Sequence, residues 1–178
     1  MKAPEFFETV RLALRRPAAG DIEAIFSRYA GDPEVTRFLA WPRHESLEDT
    51  RTFLAFSDAQ WSEWPAGPYL IVSRANGMLL GSTGLAFETP YRASTGYVLA
   101  KDAWGKGYAT EALLTMAETA RMVGIRRLYA ICYTEHRASW RVLEKCGFLR
   151  EGVLHRYTEF PNLKPGELFD VFSYAVVM

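Results

Sequence analysis

Cysteine is nearly absent from this chain, which has only Cys132 and Cys146 among its 178 residues. Two cysteines are too few for a disulfide framework, and they lack the paired C-x-x-C spacing of a structural zinc site. Both lie in apolar stretches, where a free thiol behaves as a small buried hydrophobic group. We therefore expect reduced thiols, no metal ion and a cytoplasmic location.

Long apolar runs are missing too. No segment approaches the roughly 18 consecutive apolar residues of a membrane-spanning helix, so we expect no contact with a membrane. The first 16 residues contain no apolar core followed by small residues, so we also expect no signal peptide.

The chain has no excess of charge of either sign. Lys and Arg together number 21, Asp and Glu together also number 21, and the formal net charge is therefore zero. A nucleic-acid-binding domain normally carries a broad basic surface that neutralises phosphates, so we expect no nucleic acid as a partner. A local charged patch stays possible, because net charge says nothing about how the charges are distributed.

The composition is that of an ordinary globular protein, with 49% hydrophobic and 24% charged residues. The length suits one domain with a substantial buried core, and no repeat, low-complexity tract or linker interrupts it. We therefore predict a single domain over residues 1–178. We expect it to be a monomer or a homodimer.

Hydrophobic periodicity predicts helices that begin at Asp21 and Ser46, a short helical stretch at residues 34–39, and helices at residues 109–120 and 137–145. Strands are predicted at residues 10–15, 69–73, 78–87, 95–100, 127–133 and 168–177. The Asn76-Gly77 pair is a strong hairpin signal, so the three middle strands should run antiparallel. This mixed order predicts an α+β or α/β protein built around one central sheet.

The segment W-G-K-G-Y-A-T at residues 104–110 lies between a predicted strand and the start of an amphipathic helix. A helix N-terminus offers unpaired backbone N–H groups and a partial positive charge, and glycines let the backbone approach a ligand closely. Such a segment suits a phosphate or pyrophosphate group, to which Lys106 adds charge. A glycine-containing tight turn with no ligand is the alternative.

Two other phosphate-binding patterns fit badly. The Walker pattern G-x-x-x-x-G-K-S/T is absent, and the dinucleotide pattern G-x-G-x-x-G fails because Thr110 stands at its third glycine. The preceding strands are also predicted to be antiparallel, whereas the dinucleotide pattern opens a parallel βαβ unit.

The run from Ser94 to Leu154 resembles the GNAT superfamily of N-acetyltransferases, and more narrowly its branch of ribosomal-protein N-terminal acetyltransferases. W-G-K-G-Y-A-T-E-A is similar to that branch's coenzyme A pyrophosphate loop, and H-R-A-S-W-R-V-L-E-K-C-G-F-x-x-E-G is similar to its second signature. The predicted element order agrees over nearly the whole chain. The resemblance implies an α+β (α/β sandwich) fold whose mixed, mostly antiparallel sheet of about seven strands is flanked by about four helices.

The resemblance also implies where acetyl-CoA sits. Two central strands, residues 97–100 and 127–133 here, should splay apart around it, with strand backbone pairing to the pantetheine arm and a backbone N–H near Leu99 polarising the acetyl carbonyl. An amine would then attack the thioester directly, without a covalent enzyme intermediate. The cofactor-binding residues implied in this way are Val98, Leu99, Ala100, Trp104, Gly105, Lys106, Gly107, Tyr108, Ala109, Thr110, His136 and Ser139.

The catalytic candidates are Ser139, Glu88 and Tyr133. Many relatives protonate the leaving thiolate with a tyrosine in the last helix, but the matching position here is Leu143, which has no proton to give. We therefore expect Ser139 to donate, although a serine at a helix start also bonds its own backbone. Glu88 is the candidate base, with a solvated loop carboxylate or ordered water as alternatives, and Tyr133 is either a further candidate or a packing residue.

Two departures from the family pattern concern the cofactor. Trp104 stands where many members carry Arg or Gln. We still expect the loop to bind coenzyme A, because the resemblance implies that backbone amides make its contacts with the pyrophosphate. His136 replaces the usual Asn, and imidazole can still donate or accept a hydrogen bond. Exposure or helix capping is the alternative role for His136.

The candidate acceptor-binding residues are Trp41, His44, Glu88 and His155. Trp41 and His44 lie between the first helices, where relatives line the acceptor groove. His155 stands where relatives often carry Arg, and a structural strand histidine is its alternative. The predicted function is transfer of an acetyl group from acetyl-CoA to a protein N-terminus or a small amine. The alternative is a catalytically inactive module that retains coenzyme A binding.

Overall fold

The computed structural model describes residues 1–178, and its eight strands form one sheet in the order β1-β2-β3-β4-β5-β6-β8-β7. Every neighbouring pair is antiparallel except β5 and β6, which are parallel. The strands are β1 (Phe6–Glu8), β2 (Leu12–Arg15), β3 (Pro68–Ser73), β4 (Leu79–Thr89), β5 (Arg92–Leu99), β6 (Arg127–Tyr133), β7 (Leu149–Glu159) and β8 (Leu168–Val177). The predicted mixed, mostly antiparallel sheet is confirmed, with eight strands in place of about seven.

Four helices accompany the sheet. They are α1 (Ile22–Ile25), which continues as a π-helical turn (Phe26–Ala30), α2 (Leu47–Glu63), α3 (Tyr108–Met122) and α4 (Arg137–Lys145). A capping box begins α2 as predicted at Ser46: the Asp49 carboxylate accepts the backbone N–H of Ser46 at 2.9 Å. Gly77 takes a positive φ of 72° in the hairpin between β3 and β4, as the Asn76-Gly77 signal predicts.

Apolar side chains pack on both faces of the sheet. Successive residues of β3 alternate between the faces, so that Tyr69 and Ile71 join a large cluster with α3, whereas Leu70 joins a smaller cluster with α1. The stripe on α3 that the sequence predicts is buried, and Leu113 and Met116 are fully enclosed. The sheet is therefore covered by helices on both faces, which explains the apolar character of its central strands.

The centre of the sheet opens between β5 and β6. These strands pair only where Arg92, Ala93 and Ser94 face Arg127, Leu128 and Tyr129. Beyond Ser94, β5 continues to Leu99 beside β4, and β6 continues to Tyr133 beside β8. The two strands therefore diverge, as the resemblance predicts, and leave a gap in the middle of the sheet.

Three features differ from the sequence-based predictions. Residues 34–39 form turns and no helix, because the Asp32 side chain bonds the backbone N–H groups of Glu34 and Val35 and closes a local turn. Strand β1 has three residues, too few to show a periodic pattern. Strand β7 is mostly exposed on both faces, so it lacks the alternation by which strands are recognised.

None of the four helices has the length and apolar character needed to cross a bilayer. No group of three or more His, Cys, Asp or Glu side chains comes together in an arrangement that would hold a metal ion.

Candidate functional site

The space between the diverging strands is a cavity of about 430 Å³, here called the central gap. Residues 94–98 of β5 line one side and residues 130–132 of β6 line the other. His136, Ser139 and Leu143 contribute the part of the wall that comes from α4 and the residue before it. Strand backbone without a neighbouring strand is suited to pairing with an extended ligand.

Strand alternation determines which backbone groups face the central gap. The Ala100 N–H donates to the Leu80 carbonyl at 2.7 Å, so the backbone of Ala100 faces β4. The backbone groups of neighbouring strand residues point in opposite directions. It follows that Leu99 directs its N–H toward the central gap, whereas Val98 and Ala100 direct theirs toward β4.

The connection from β5 to α3 contains the predicted pyrophosphate loop. Gly105 and Gly107 have positive φ values of 71° and 79°, and α3 begins at the next residue, Tyr108. The N–H groups of its first turn have no partner within the helix, and the helix dipole adds partial positive charge there. Of the residues that follow, Ala109 is buried in the core and Thr110 is half-buried. The loop therefore has the backbone geometry of an anion site.

Trp104 ties this loop to β5. Its indole N–H donates to the Leu99 carbonyl at 2.8 Å, although Trp104 as a whole is exposed to solvent. The Leu99 carbonyl thus has a partner inside the protein, so the N–H is the group that Leu99 can offer to a ligand.

A second contact to the loop comes from Arg11, immediately before β2. Its Nη1 donates to the Lys106 carbonyl at 2.7 Å, and its Nε donates to Glu111 at 2.7 Å. Burial alone would raise the pKa of Glu111, but hydrogen bonds from Thr9 and Arg11 outweigh it and hold the pKa below its usual value. Glu111 is therefore a charged anchor between β2, α3 and the loop.

Ser139 lines the central gap, next to a tyrosine that the sequence analysis did not single out. The hydroxyl of Tyr97, on β5, donates to the Ser139 carbonyl at 2.6 Å and lies 3.2 Å from Ser139 Oγ. Burial raises the pKa of Tyr97, so its hydroxyl stays protonated. Two hydroxyl groups thus meet inside the gap, where Leu143 supplies only an apolar wall.

His136 and Tyr133 are placed differently from each other. His136 lines the central gap 4.9 Å from the ring of Phe38, and burial lowers its pKa so that the imidazole is neutral near pH 7. Tyr133 packs against Phe38, Phe160 and Phe169 at ring distances of 5.3–5.5 Å and lines neither of the two main cavities. This placement favours the packing role for Tyr133.

A larger cavity of about 1140 Å³, here called the lateral cavity, lies between α1, α2 and residues 41–45. It includes both predicted acceptor-binding residues of this region, Trp41 and His44. His44 Nδ1 lies 2.9 Å from Thr50 Oγ1, and burial lowers the pKa of the imidazole. The lateral cavity adjoins the central gap, since both are lined by Trp41, Phe53, Phe56 and Ser82.

The charged groups of the lateral cavity are two carboxylates, Glu45 and Asp49, and one guanidinium, Arg43. Backbone N–H groups of Glu45 and Ser46 bond the Asp49 carboxylate and lower its pKa, so it stays ionised at neutral pH. With His44 neutral, the cavity carries a small excess of negative charge. This balance suits a ligand with an amino group.

Asn162 closes the lateral cavity from the loop between β7 and β8. Its side-chain amide donates to the carbonyls of Thr36 and Trp41 at 2.9 Å each, and its oxygen accepts the Arg43 N–H at 2.7 Å. The loop thereby holds the cavity-forming segment in place.

The structure does not bring Glu88 or His155 to either cavity. Glu88, near the end of β4, pairs with Arg92 at 2.6 Å and bonds the Tyr129 hydroxyl, beside the start of β5 where the sheet is still closed. His155 is exposed on β7, 2.8 Å from Asp170. Glu88 lies where β5 and β6 are still paired, and His155 lies on the edge strand β7, which β8 separates from β6, so the structure supports neither proposed role.

Comparison with known proteins identifies the family of this chain. The family model described as "Acetyltransferase (GNAT) domain" matches residues 11–149. The chain belongs to the GNAT acetyltransferase family. A curated Bacillus subtilis relative, "Uncharacterized N-acetyltransferase YoaA", is 32% identical over 173 residues, which cover 96% of this chain and 95% of the relative.

Solved structures of GNAT acetyltransferases share the fold. One from Bacillus anthracis has 26% identity and a TM-score of 0.81, covering 97% of this chain and 98% of its own. The ribosomal-protein alpha-N-acetyltransferase RimL, solved in complex with coenzyme A, has 24% identity and a TM-score of 0.84, with 98% of both chains covered. The predicted resemblance to that branch is confirmed as a likeness of fold, and the protein is an N-acetyltransferase.

Four residues at the site of this GNAT enzyme were not found from the sequence: Arg11, Tyr29, Ser82 and Tyr97. Arg11, Tyr29 and Ser82 are far in sequence from the two signatures. Tyr97 lies on a strand, and the sequence pattern does not show to which side of that strand its side chain points. Tyr97 carried a partial signal, because it stands beside Val98 in the run that resembles the GNAT superfamily. Packing of the N-terminal elements brings Arg11 and Tyr29 to the site, and pairing of β4 with β5 brings Ser82.

Proposed function

We propose that this GNAT enzyme transfers the acetyl group of acetyl-CoA to a primary amine that enters through the lateral cavity. The observation that carries the proposal is the junction of the two cavities. An apolar gap between strands, beside a glycine turn and a helix N-terminus, meets a second cavity with excess negative charge. One cavity suits an activated thioester on a long arm, and the other suits an amine.

The coenzyme A arm is proposed to lie in the central gap. Its amide groups pair with β5 backbone, and the acetyl oxygen accepts the N–H of Leu99. Its pyrophosphate binds the amides of residues 105–110, beside the positive charge of Lys106. The complex of RimL with coenzyme A supports this assignment, since the two folds superpose over almost the whole chain.

The proposed reaction has one addition and one elimination. The amine nitrogen attacks the thioester carbon, the C–N bond forms, and the carbonyl electron pair moves to the oxygen, which the Leu99 N–H stabilises. The electron pair then returns, the C–S bond breaks, and the CoA thiolate takes a proton from Ser139, which regains one from the water that receives the amine proton. The amine proton passes to water ordered by backbone carbonyls, because Glu88 lies outside both cavities.

The acceptor is proposed to be a protein N-terminus or a small amine. The lateral cavity, at about 1140 Å³, exceeds the roughly 300–1,000 Å³ of typical small-molecule sites. Its size therefore favours the N-terminal segment of a peptide or protein. We also propose that the chain acts as one domain in the cytoplasm, where its two free thiols, Cys132 and Cys146, stay reduced.

Calorimetric titration with acetyl-CoA tests the cofactor, with ATP and NAD as controls for unspecific nucleotide binding. Thiol release is then measured with short peptides and with small amines. Selective binding followed by release of free CoA supports the proposal. Binding without release from any amine would favour the inactive module, which Leu143 makes a real alternative, and no binding would contradict the whole assignment.

A further inference from the structure

The hydroxyl of Tyr29 is buried without a hydrogen-bond partner in the protein. Tyr29 is only 2% exposed and belongs to the π-helical turn that follows α1. Burial raises the pKa of this hydroxyl, so it remains a neutral O–H group. A buried polar group with no partner costs stability, and π-helical turns occur frequently at functional sites.

Other buried tyrosines of the chain do have partners. The hydroxyl of Tyr69 donates to the Pro4 carbonyl at 2.8 Å, and that of Tyr174 donates to Glu144 at 2.9 Å. Besides Tyr29, only Ser57 and Trp140 have unpaired buried side-chain polar atoms, and neither lines the lateral cavity. Tyr29 is therefore the one unpaired buried group in the wall of this cavity.

Ser82 is the polar side chain that accompanies Tyr29. It lies close enough to offset part of the rise in the pKa of Tyr29, but the two hydroxyls do not meet in hydrogen-bond geometry. Both residues line the lateral cavity, and Ser82 also lines the central gap. The pair thus stands where the two cavities meet.

Strand register relates this pair to the proposed position of the thioester. Ser82 on β4 faces Val98 on β5, one residue from Leu99, and Val98 packs in the same apolar cluster as Tyr29. Side chains of directly facing strand residues point to the same side of the sheet. The two hydroxyls therefore lie on the same side of the sheet as Val98, the residue next to Leu99, whose N–H is proposed to hold the acetyl oxygen.

We infer that the hydroxyl oxygens of Tyr29 and Ser82 hold the amino group of the acceptor, which makes the enzyme selective for primary over secondary amines. The inference rests on the proposed function. A neutral primary amine has two N–H bonds and one lone pair. Two accepting hydroxyl oxygens bind both N–H bonds and leave the lone pair directed at the thioester. A secondary amine has a single N–H and leaves one buried hydroxyl unpaired, which sites built for hydrogen bonding reject.

The test compares a primary amine with its N-methyl counterpart. The probes are 2-phenylethylamine and N-methyl-2-phenylethylamine, together with an alanyl peptide and its N-methylalanyl form, and kcat/KM is followed by thiol release. We expect the wild-type protein to prefer each primary amine by about tenfold or more. Tyr29→Phe and Ser82→Ala should each lower kcat/KM for the primary amine and bring the preference to within about threefold.

Tyr69→Phe is the matched control, because it also removes one hydroxyl from a buried tyrosine but lies outside both cavities. It should keep the wild-type amine preference and lower the melting temperature, since the Pro4 carbonyl loses its donor. Tyr29→Phe should not lower the melting temperature, because its hydroxyl has no partner to lose. An unchanged preference in Tyr29→Phe would overturn the inference, even if its kcat were reduced.

Failure of the proposed function has a different signature. In that case the wild-type protein releases no thiol with any amine, whatever residue stands at position 29. Binding of 2-phenylethylamine is then measured by the shift it causes in melting temperature. The inference predicts a shift that Tyr29→Phe reduces and Tyr69→Phe preserves, and equal shifts in all three proteins, or none, would contradict it.

Discussion

The hydroxyl of Tyr97 donates to the carbonyl oxygen of Ser139 at 2.6 Å, joining β5 to α4 across the central gap. It also lies 3.2 Å from the Ser139 hydroxyl, so the two hydroxyl groups are neighbours in the gap. The tyrosine that many relatives carry in the last helix is replaced here by Leu143. Tyr97 instead enters the gap from β5, on the side opposite α4.

Ser139→Ala should lower kcat by about 10²-fold, since general acid catalysis typically contributes that much or more, and should leave the affinity for acetyl-CoA unchanged. Tyr97→Phe should lower kcat less, because Ser139 keeps its own hydroxyl and loses only the neighbouring hydroxyl that holds its backbone in place. Thiol release and calorimetry measure the two quantities. Wild-type turnover in Ser139→Ala would remove Ser139 from the mechanism.

Arg11 stabilises the glycine loop without belonging to it. Arg11→Ala should weaken acetyl-CoA binding by about tenfold, because the Lys106 carbonyl loses a charge-assisted hydrogen bond and the loop loses its link to Glu111. Arg51→Ala is the control, since Arg51 forms only an exposed pair with Glu48 within α2. Equal dissociation constants for the two variants would show that the loop holds its shape unaided.

Gly107 has a left-handed backbone, and a Cβ there would lie 3.4 Å from Arg11 Nη2. Gly107→Ala should weaken acetyl-CoA binding and cost about 1–2 kcal/mol of stability, while Gly107→Glu should abolish binding through charge repulsion with the phosphates. Gly77→Ala, at a similar φ of 72° with open space around it, should have a comparable stability cost and leave binding intact. Weakened binding in Gly77→Ala would mean that general strain, and not the loop, is responsible.

The buried imidazole of His136 makes stability depend on pH. Its pKa in the folded protein is lowered from 6.5, so the unfolded chain takes up the proton first as the pH falls. Stability is therefore full above pH 6.5 and declines below it. Denaturant unfolding between about pH 7 and pH 5 should show a smaller decline for His136→Asn than for the wild-type protein. An equal decline would assign the effect to other groups, such as His44.

Replacing Glu88 tests whether a carboxylate that lies outside both cavities takes part in catalysis. Its carboxylate is engaged by Arg92 and Tyr129 outside both cavities. Glu88→Gln should therefore keep kcat/KM within about twofold of the wild-type value, far from the 10²-fold loss expected of a missing base. A large loss with an unchanged melting temperature would restore Glu88 as the base.

Local patterns in the sequence predict many of the helices and strands of this protein. Strand Arg127–Tyr133 and helix Arg137–Lys145 have the predicted bounds, and the helix after Gly107 begins where its glycines and apolar stripe indicate. These elements carry strong periodicity, and glycines in left-handed conformations end or begin them. The two signatures also point to the pyrophosphate loop and to Ser139, because each is a contiguous segment.

Only the tertiary structure decides which distant residues meet at the site. Glu88 and Tyr97 lie on neighbouring strands with similar sequence surroundings, yet the sheet is closed beside Glu88 and open beside Tyr97. Tyr29 reaches Ser82 through the packing of the N-terminal helix against β4, over more than fifty residues of sequence. Local propensity describes each segment by itself, whereas the site is formed by the point at which two strands separate and by the helices packed around that opening.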